Sequence, residues 1–447
     1  MKKIIKFILF FAVMCTNAQL TVQGRYLKDL NGNNLILRGV NVPIYGNGWT
    51  GDLFPVADAI KNNTKSNAVR LLWYSPQILN AIGNPPYYAS LANLDDAITA
   101  YAERNMISVV FLRDLTVNHD HTVTGLTNTT IAFWTDAAVL ALIEKHKNHL
   151  IINLMNEWGA TWDNNSLGGP NGQSVFINAY SNIVNQIRAA GVTVPIMIDA
   201  PDGGANSYFM IAVGQELINN DPLQRILLSV HSYWSQENGG ISNCPQDYIT
   251  RLDAMKNSNL PFVLGEATNW APKGSNGQEI ESVPPVNFEC PGTASPNKYA
   301  INYDVLLTRA VQNEIGFLAW NWYQDGLKVR CIYNQPTGTV QNNSPNAGSW
   351  PADILSSTKI YGLNYDSTMG VSESKTKQVS IFPNPSTGVF SVNTSSAISS
   401  VEVFDLSGRK TLPAFHEKSF TIKEKGVWIV DIKFKDGTSM KEKVIVK

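Results

Sequence analysis

Eight short apolar runs, each the length of one buried strand, punctuate the chain between residues 35 and 322. They are LILRGVNV (35–42), AVRLLW (68–73), ISVVFLR (107–113), LIINLMN (150–156), VPIMIDA (194–200), ILLSVHSY (226–233), PFVLGE (261–266) and IGFLAWNW (315–322). Stretches of a different period separate them. In SLANLDDAITAYAERN, QSVFINAYSNIVNQIRAAG and YAINYDVLLTRAVQNE the apolar residues recur every three or four positions, the spacing that lines one face of a helix. Strands without alternation are buried on both faces, which is the mark of a parallel sheet covered by helices. Eight such units over roughly 330 residues predict an α/β fold, a (β/α)₈ or TIM barrel, with an open doubly wound sheet as the alternative.

In such a barrel the chemistry sits where strands run out into loops. The strand ends here are Arg70, Arg113, Asn156 with Glu157, Asp199, His231 with Tyr233, Glu266, and Trp320 with Trp322, so polar and aromatic side chains gather at one face. Glu157 ends the fourth run and Glu266 the seventh, which places them across the barrel mouth from each other. Two facing carboxyl groups suit glycoside hydrolysis: one attacks the anomeric carbon, the other protonates the departing oxygen, and their proton affinities must differ. Arg70 is the natural cation to keep Glu266 ionised, and Tyr233 can donate a hydrogen bond to it. Glu157, between Trp158 and His231, is expected in a more apolar setting that favours the protonated acid, which then acts as base toward water in the second step.

LMNEW, VHSY, VLGE and AWNW, in that order on the fourth, sixth, seventh and eighth strands, resemble glycoside hydrolase family 5. The resemblance covers roughly residues 20 to 365. It implies a retaining barrel glycosidase with Glu157 as acid/base, Glu266 as nucleophile and Asn156 at the substrate 2-hydroxyl. Arg70, His231 and Tyr233 would support the carboxylates, and Trp320 or Trp322, with Trp320 favoured, would form the sugar platform; no cofactor or metal is expected. Within the family, IINLMNEWGATW and GFLAWNWYQDG are most similar to bacterial β-mannanases with an Asn-Glu-Trp signature, whereas many endoglucanases carry Asn-Glu-Pro. Two departures stand beside the cleavage subsite: Arg113 followed by Asp114 where those mannanases have a histidine, and NVPIYGNGW where they have a histidine-rich turn. The expectation is a secreted endo-β-1,4-glycanase acting on plant-type polysaccharide, β-mannan ahead of β-glucan. An endo-β-1,4-glucanase and a catalytically silent polysaccharide-binding barrel are the alternatives.

Trp73, Trp158, Trp162, Trp234 and Trp270 fall in or beside the loops after strands, where rings can stack on sugar faces; packing into the core is the competing use of each. The Pro-, Gly- and Ser-rich segment 271–298 after Glu266 is expected to shape one end of a groove.

Charge adds little: 35 Lys or Arg against 36 Asp or Glu give no electrostatic case for nucleic acid. Lys2, Lys3 and Lys6 precede an apolar stretch too short to span a bilayer, so residues 1–18 read as an export signal cleaved after Ala18. In the exported chain Cys244, Cys290 and Cys331 predict one disulfide and one thiol, without zinc spacing. GNGWTG (46–51) matches a dinucleotide fingerprint, but the second strand ends without an acid for a ribose, and HDH (119–121) reads as solvated loop.

After a polar linker (366–377), residues 378–447 carry the short β-type runs QVSIF, GVFSV, SVEVFDL, GVWIVDIKF and KEKVIVK, and ten Lys or Arg against seven Asp or Glu. They predict a small all-β sandwich following the catalytic domain at 19–365. FPNPSTGVFSV, VEVFDLSGR, GVWIVDI and KVIVK resemble the C-terminal sorting domain of the type IX secretion system of Bacteroidota. That resemblance implies export through the periplasm of a Gram-negative bacterium to the medium or the cell surface, with the secretion machinery as partner; a carbohydrate-binding module is the alternative. A monomer is expected.

Overall fold

The computed structural model describes residues 19–447 except 43–52, 76–77, 79–89, 236–243, 271–298, 323–329, 335–338, 341–348, 366–379, 395–396, 406–408, 417 and 436–438. The expected export signal, the GNGWTG motif, the 271–298 segment, Cys290 and the expected linker therefore lie outside the described residues. The chain divides into two compact units, Met1–Tyr365 and Asp366–Lys447.

In the first unit, eight parallel strands close into a barrel: β1 (Arg38–Val42), β2 (Ala68–Trp73), β3 (Ile107–Leu112), β4 (Leu150–Asn153), β5 (Ile196–Asp199), β6 (Ile226–His231), β7 (Phe262–Ala267) and β8 (Gly316–Ala319), with β8 pairing back to β1. The closed parallel ring bears out the predicted barrel. Every residue of β2, β3 and β6 is buried, as expected where helices cover the outside and side chains fill the inside. The helices are amphipathic at the predicted period. In Gly172–Ala189, Phe176, Ala179, Tyr180, Ile183, Val184 and Ile187 form the buried stripe. Side-chain caps fix three helix starts: Ser90 accepts from Asn93 N–H, Thr122 from Gly125 N–H, and Asp136 from Ala138 and Val139 N–H.

The inner face of the barrel changes character along its axis. Val109, Ile151, Met197, Leu227, Val263 and Leu318 form one apolar layer with Leu20, Leu27 and Leu37, so the N-terminal segment plugs that end. Because side chains on one strand face recur every second residue, the next inward positions are two residues on. On four strands these are Arg70, Asn153, Asp199 and Ser229, all fully buried and all polar. The barrel is therefore greasy at one end and charged at the other, and the charged end is the one where the strands stop. A register shift in β7 between Leu264 and Glu266 turns the glutamate to this same end.

Strand four is shorter than its apolar run suggests. It ends at Asn153; beyond it Leu154 N–H, to the Met197 carbonyl, and Asn156 N–H, to the Leu112 carbonyl, still tie the backbone to the neighbouring strands before the turn, with Glu157 at φ 51° and Gly159 at φ 103°. The left-handed turn carries Glu157 toward the mouth and Trp158 away from it.

The second unit has two four-stranded antiparallel sheets over one apolar core that includes Phe390, Val401, Phe420, Trp428, Val430 and Val444. Trp428 is buried, and its indole N–H donates to the Glu424 carbonyl.

Candidate functional site

Arg70 is the centre of the charged layer. Its guanidinium is completely buried and lies 3.6 Å above the Phe111 ring. Nε donates to Asn153 Oδ1 (3.0 Å), Nη1 to Glu266 Oε1 (2.6 Å) and Asn41 Oδ1 (3.2 Å), and Nη2 to Asn156 Oδ1 (3.0 Å) and Asp199 Oδ2 (3.0 Å). Glu266 Oε2 accepts from the Tyr233 hydroxyl. Burial, and then the charge of Glu266, push the Tyr233 phenol well above its ordinary value, so it stays a donor. Glu266 is thus held by a cation on one oxygen and a phenol on the other, as the sequence predicts.

Glu157 is in a different setting from the one expected. Its Oε1 lies 2.7 Å from His231 Nδ1, and the His231 ring is fully buried. The other ring nitrogen, Nε2, lies 3.3 Å from Asp199 Oδ2, and Nδ1 is also 3.6 Å from Glu266 Oε1. Burial alone would lower the imidazole, but the charges of Glu266 and Asp199, the latter at ion-pair distance without hydrogen-bond geometry, and the hydrogen bond to Glu157 push it up to about 10. Burial likewise favours the neutral form of Glu157, yet the hydrogen bond and charge of His231, joined by Arg113, outweigh it and bring the carboxyl below the ordinary glutamate range. The expectation of a glutamate kept protonated by apolar neighbours is therefore corrected: the free site pairs an ionised Glu157 with a charged His231. Glu157, His231 and Glu266 converge, but with both ring nitrogens facing carboxylates the imidazole is posed as a proton donor, not as a lone pair for a metal.

A cleft of about 550 Å³ opens over these groups; Asn156, Glu157, Glu266, Tyr233 and Trp320 line it together with Arg113, Trp162, Asp202 and Arg330. Of the candidate tryptophans, Trp320 reaches the cleft, whereas Trp322 is fully buried and stacked on Tyr333 at 4.9 Å. Trp158 and Trp270 do not line the cleft: both are buried, and Trp158 packs against Phe176 (6.2 Å) and Tyr180 (6.0 Å). The physical reason for Trp158 is the turn at Glu157, which sends the next side chain back toward the Gly172–Ala189 helix. Trp73 and Trp234 are core residues as well, and the Trp234 N–H donates to the Ala205 carbonyl. Only Trp162 among the five loop tryptophans is open, at 72% exposure. His119 ends a short helix in the left-handed region, in keeping with a loop role for HDH.

Residues 28–326 match the family described as Cellulase (glycosyl hydrolase family 5). The chain belongs to glycosyl hydrolase family 5. Residues 380–447 match the Secretion system C-terminal sorting domain, so this family 5 protein carries a signal for secretion or surface export. The family 5 region is similar to a mannan endo-1,4-beta-mannosidase of Cellvibrio japonicus (strain Ueda107), 25% identical over 317 residues that cover 70% of this chain and 61% of that enzyme. It is also similar to a mannan endo-1,4-beta-mannosidase of Salipaludibacillus agaradhaerens, 24% identical over 67% of this chain and 80% of the other. The structure of a beta-mannanase from Streptomyces thermolilacinus shares the fold, with a TM-score of 0.56, 21% identity, and coverage of 78% of this chain and 97% of that one.

Several residues of this family 5 site escape a reading of the sequence. Asn41 fastens the first strand by donating to the Gly265 and Leu318 carbonyls at 2.9 and 3.1 Å. Asp202 receives the Thr161 N–H and hydroxyl and steadies the loop that bears Trp162. Asp199 is visible as a strand end, but its contact with His231 is not. Cys244 is disulfide-bonded and Cys331 is buried.

Proposed function

We propose that the first unit is a retaining endo-β-1,4-mannanase in which Glu266 attacks and Glu157 serves as acid and then base. The observation that carries this reading is the approach of the two carboxylates: an oxygen of each, with His231 Nδ1, falls within a set of atoms no more than 4.8 Å apart. Retaining enzymes use carboxyl groups about 5 to 5.5 Å apart, whereas inverting ones leave room for a water between them. In the first step Glu266 Oε attacks the anomeric carbon as the bond to the leaving oxygen breaks, and Glu157 gives that oxygen its proton. In the second, water attacks the same carbon, Glu157 takes its proton, and the Glu266 ester bond breaks. His231 and Arg113 hold Glu157 below the ordinary glutamate range, so acid pH favours the protonated, working form.

Asn156 fits the 2-hydroxyl contact. Its carbonyl oxygen is committed to Arg70 and its amide donates to Thr116 Oγ1 at 3.3 Å, so the NH₂ group is the end that offers a further donor. Trp320 suits the platform at the cleavage subsite, and the open Trp162 ring suits a sugar farther along the chain. The names of the two relatives above support mannan as the substrate. Release of reducing ends from mannan, glucomannan and carboxymethylcellulose at equal enzyme concentration tests this. Mannan is expected to exceed carboxymethylcellulose at least tenfold, and parity or the reverse order would replace mannanase by glucanase. The sorting domain supports export through the periplasm of a Gram-negative bacterium.

Arg113 stands where a charge tunes the acid. Removing a cation that stabilises ionised Glu157 raises its proton affinity, so in Arg113→Ala the alkaline limb of kcat/KM should move to higher pH by about half to one unit. Profiles of the variant and the parent on the same soluble mannan check it.

A further inference from the structure

We propose that Asp199 is a positioning residue that holds His231 as an imidazolium with its Nδ1 proton directed at Glu157, and so sets the pH at which Glu157 yields its own proton. The inference rests on the reading of Glu157 as the acid.

Three carboxylates face the ring: Glu157 and Glu266 at Nδ1, and Asp199 at Nε2. In a double displacement the first two change charge. Glu157 is neutral before the first step and ionised after it, while Glu266 is ionised before it and an ester afterward. Asp199 alone among the three keeps its charge throughout. It is completely buried, its Oδ2 also accepts from Arg70, and it lies 3.4 Å from the Glu157 N–H.

The sum of charges shows what this constancy does. Before the first step, Arg70 and His231 balance Glu266 and Asp199, with Glu157 neutral. After it, the same two cations balance Glu157 and Asp199, with Glu266 esterified. The buried cluster is neutral in both states provided the imidazole stays protonated. With a neutral imidazole both states would carry one uncompensated buried negative charge, which a site of low polarity penalises.

The ring is also fixed in place. A Cβ at Gly204, whose φ is +76°, would lie 2.5 Å from His231 Cγ, and one at Gly265 would lie 3.2 Å from Nε2. The His231 N–H donates to the Gly204 carbonyl at 2.8 Å. Both glycines thus bring backbone close against the ring, where any larger residue would displace it. The remaining charged or titratable groups reach the ring indirectly: Arg70 through Asp199 and Glu266, Arg113 through Glu157, and Tyr180 through Asp199. Tyr233 stands edge-on at 6.4 Å with its hydroxyl on Glu266, and Ser229 lies beside Asp199.

The test joins a titration to kinetics on the full chain. The ¹⁵N signals of His231, assigned by their loss in His231→Asn, should show both nitrogens protonated up to about pH 9 in the parent. In Asp199→Asn the same signals should titrate at least one unit lower. Loss of a buried negative charge lowers the proton affinity of the whole His231–Glu157 pair, so the alkaline limb of kcat/KM on mannan should move toward acid by half a unit or more. On a dinitrophenyl β-mannoside, whose leaving group departs without a proton, kcat/KM should fall less than on mannan and its pH profile should not follow the shift of that limb. A parent His231 that titrates near an ordinary histidine overturns the proposal without any variant, so a failure of Asp199→Asn to fold leaves it decidable. Equal losses on both substrates with an unmoved limb also overturn it, in favour of a structural role. The titration reads the same whether or not mannan is the substrate, so failure of the functional reading would be seen separately.

Discussion

Glu266→Ala is expected to lower kcat on mannan by roughly five orders of magnitude while leaving polysaccharide binding within a few fold. The size follows from losing the group that forms the bond to carbon; removal of a nucleophile in other covalent enzymes has effects of about this scale. Binding is spared because the cleft walls that meet the rest of the chain, Trp162 and Trp320 among them, do not depend on the carboxylate. The variant does uncover Arg70, whose Nη1 loses its closest partner. Asn41 remains on that nitrogen and Asp199 on the other, so the guanidinium stays compensated and the fold should persist. Azide added with an activated aryl β-mannoside should restore turnover and give the α-mannosyl azide, since the small anion enters from the face that Glu266 vacates. Affinity electrophoresis in mannan and product analysis by NMR are the measurements. Unchanged turnover on mannan would remove the nucleophile assignment.

Glu157→Ala separates the two halves of the reaction. With mannan, both proton delivery and water activation fail, and kcat/KM should fall by about 10³-fold or more. With a dinitrophenyl β-mannoside the first step needs no acid, so kcat/KM should stay within about tenfold while kcat falls, because the glycosyl-enzyme then waits for an unassisted water. Azide should relieve that wait and yield the β-mannosyl azide, the opposite anomer from the nucleophile variant. The pH dependence gives a second check. In the parent the alkaline limb on mannan reports an acid that His231 and Arg113 draw below the ordinary glutamate range. On mannan the variant, with the acid gone, should lose that limb, whereas on the aryl substrate kcat/KM should lack it in parent and variant alike. Burst kinetics and paired pH profiles distinguish these outcomes from a general loss of structure.

The barrel was legible because its signal is repeated eight times: a run apolar on both faces has few uses except as a parallel strand, and each run stops on residues that a core would reject. Arg70, Tyr233 and Glu266 could be connected on that ground, since a barrel brings its strand ends together whatever their separation in sequence. The tryptophans could not be sorted in the same way. Composition says that a ring is near the mouth, but the turn at Glu157, with φ 51°, decides that Trp158 points into the packing and that Trp162, four residues on, stands open. The state of Glu157 is hidden from the sequence for a related reason. Its sequence neighbour is apolar, but its spatial neighbour is an imidazole whose charge depends on Asp199, one strand farther round the barrel. Proton affinity follows contacts in space, and the decisive contact here is between residues that share no motif.

The five bonds of Arg70 have a meaning for how the chain reaches this structure. Their acceptors come from β1, from β4 and the turn beyond it, from β5 and from β7, so the guanidinium is fully matched only when most of the barrel has closed in the correct register. A slip of one residue in any contributing strand would rotate its acceptor to the outside and strand part of a buried cation. The guanidinium that holds Glu266 therefore also penalises misassembled barrels.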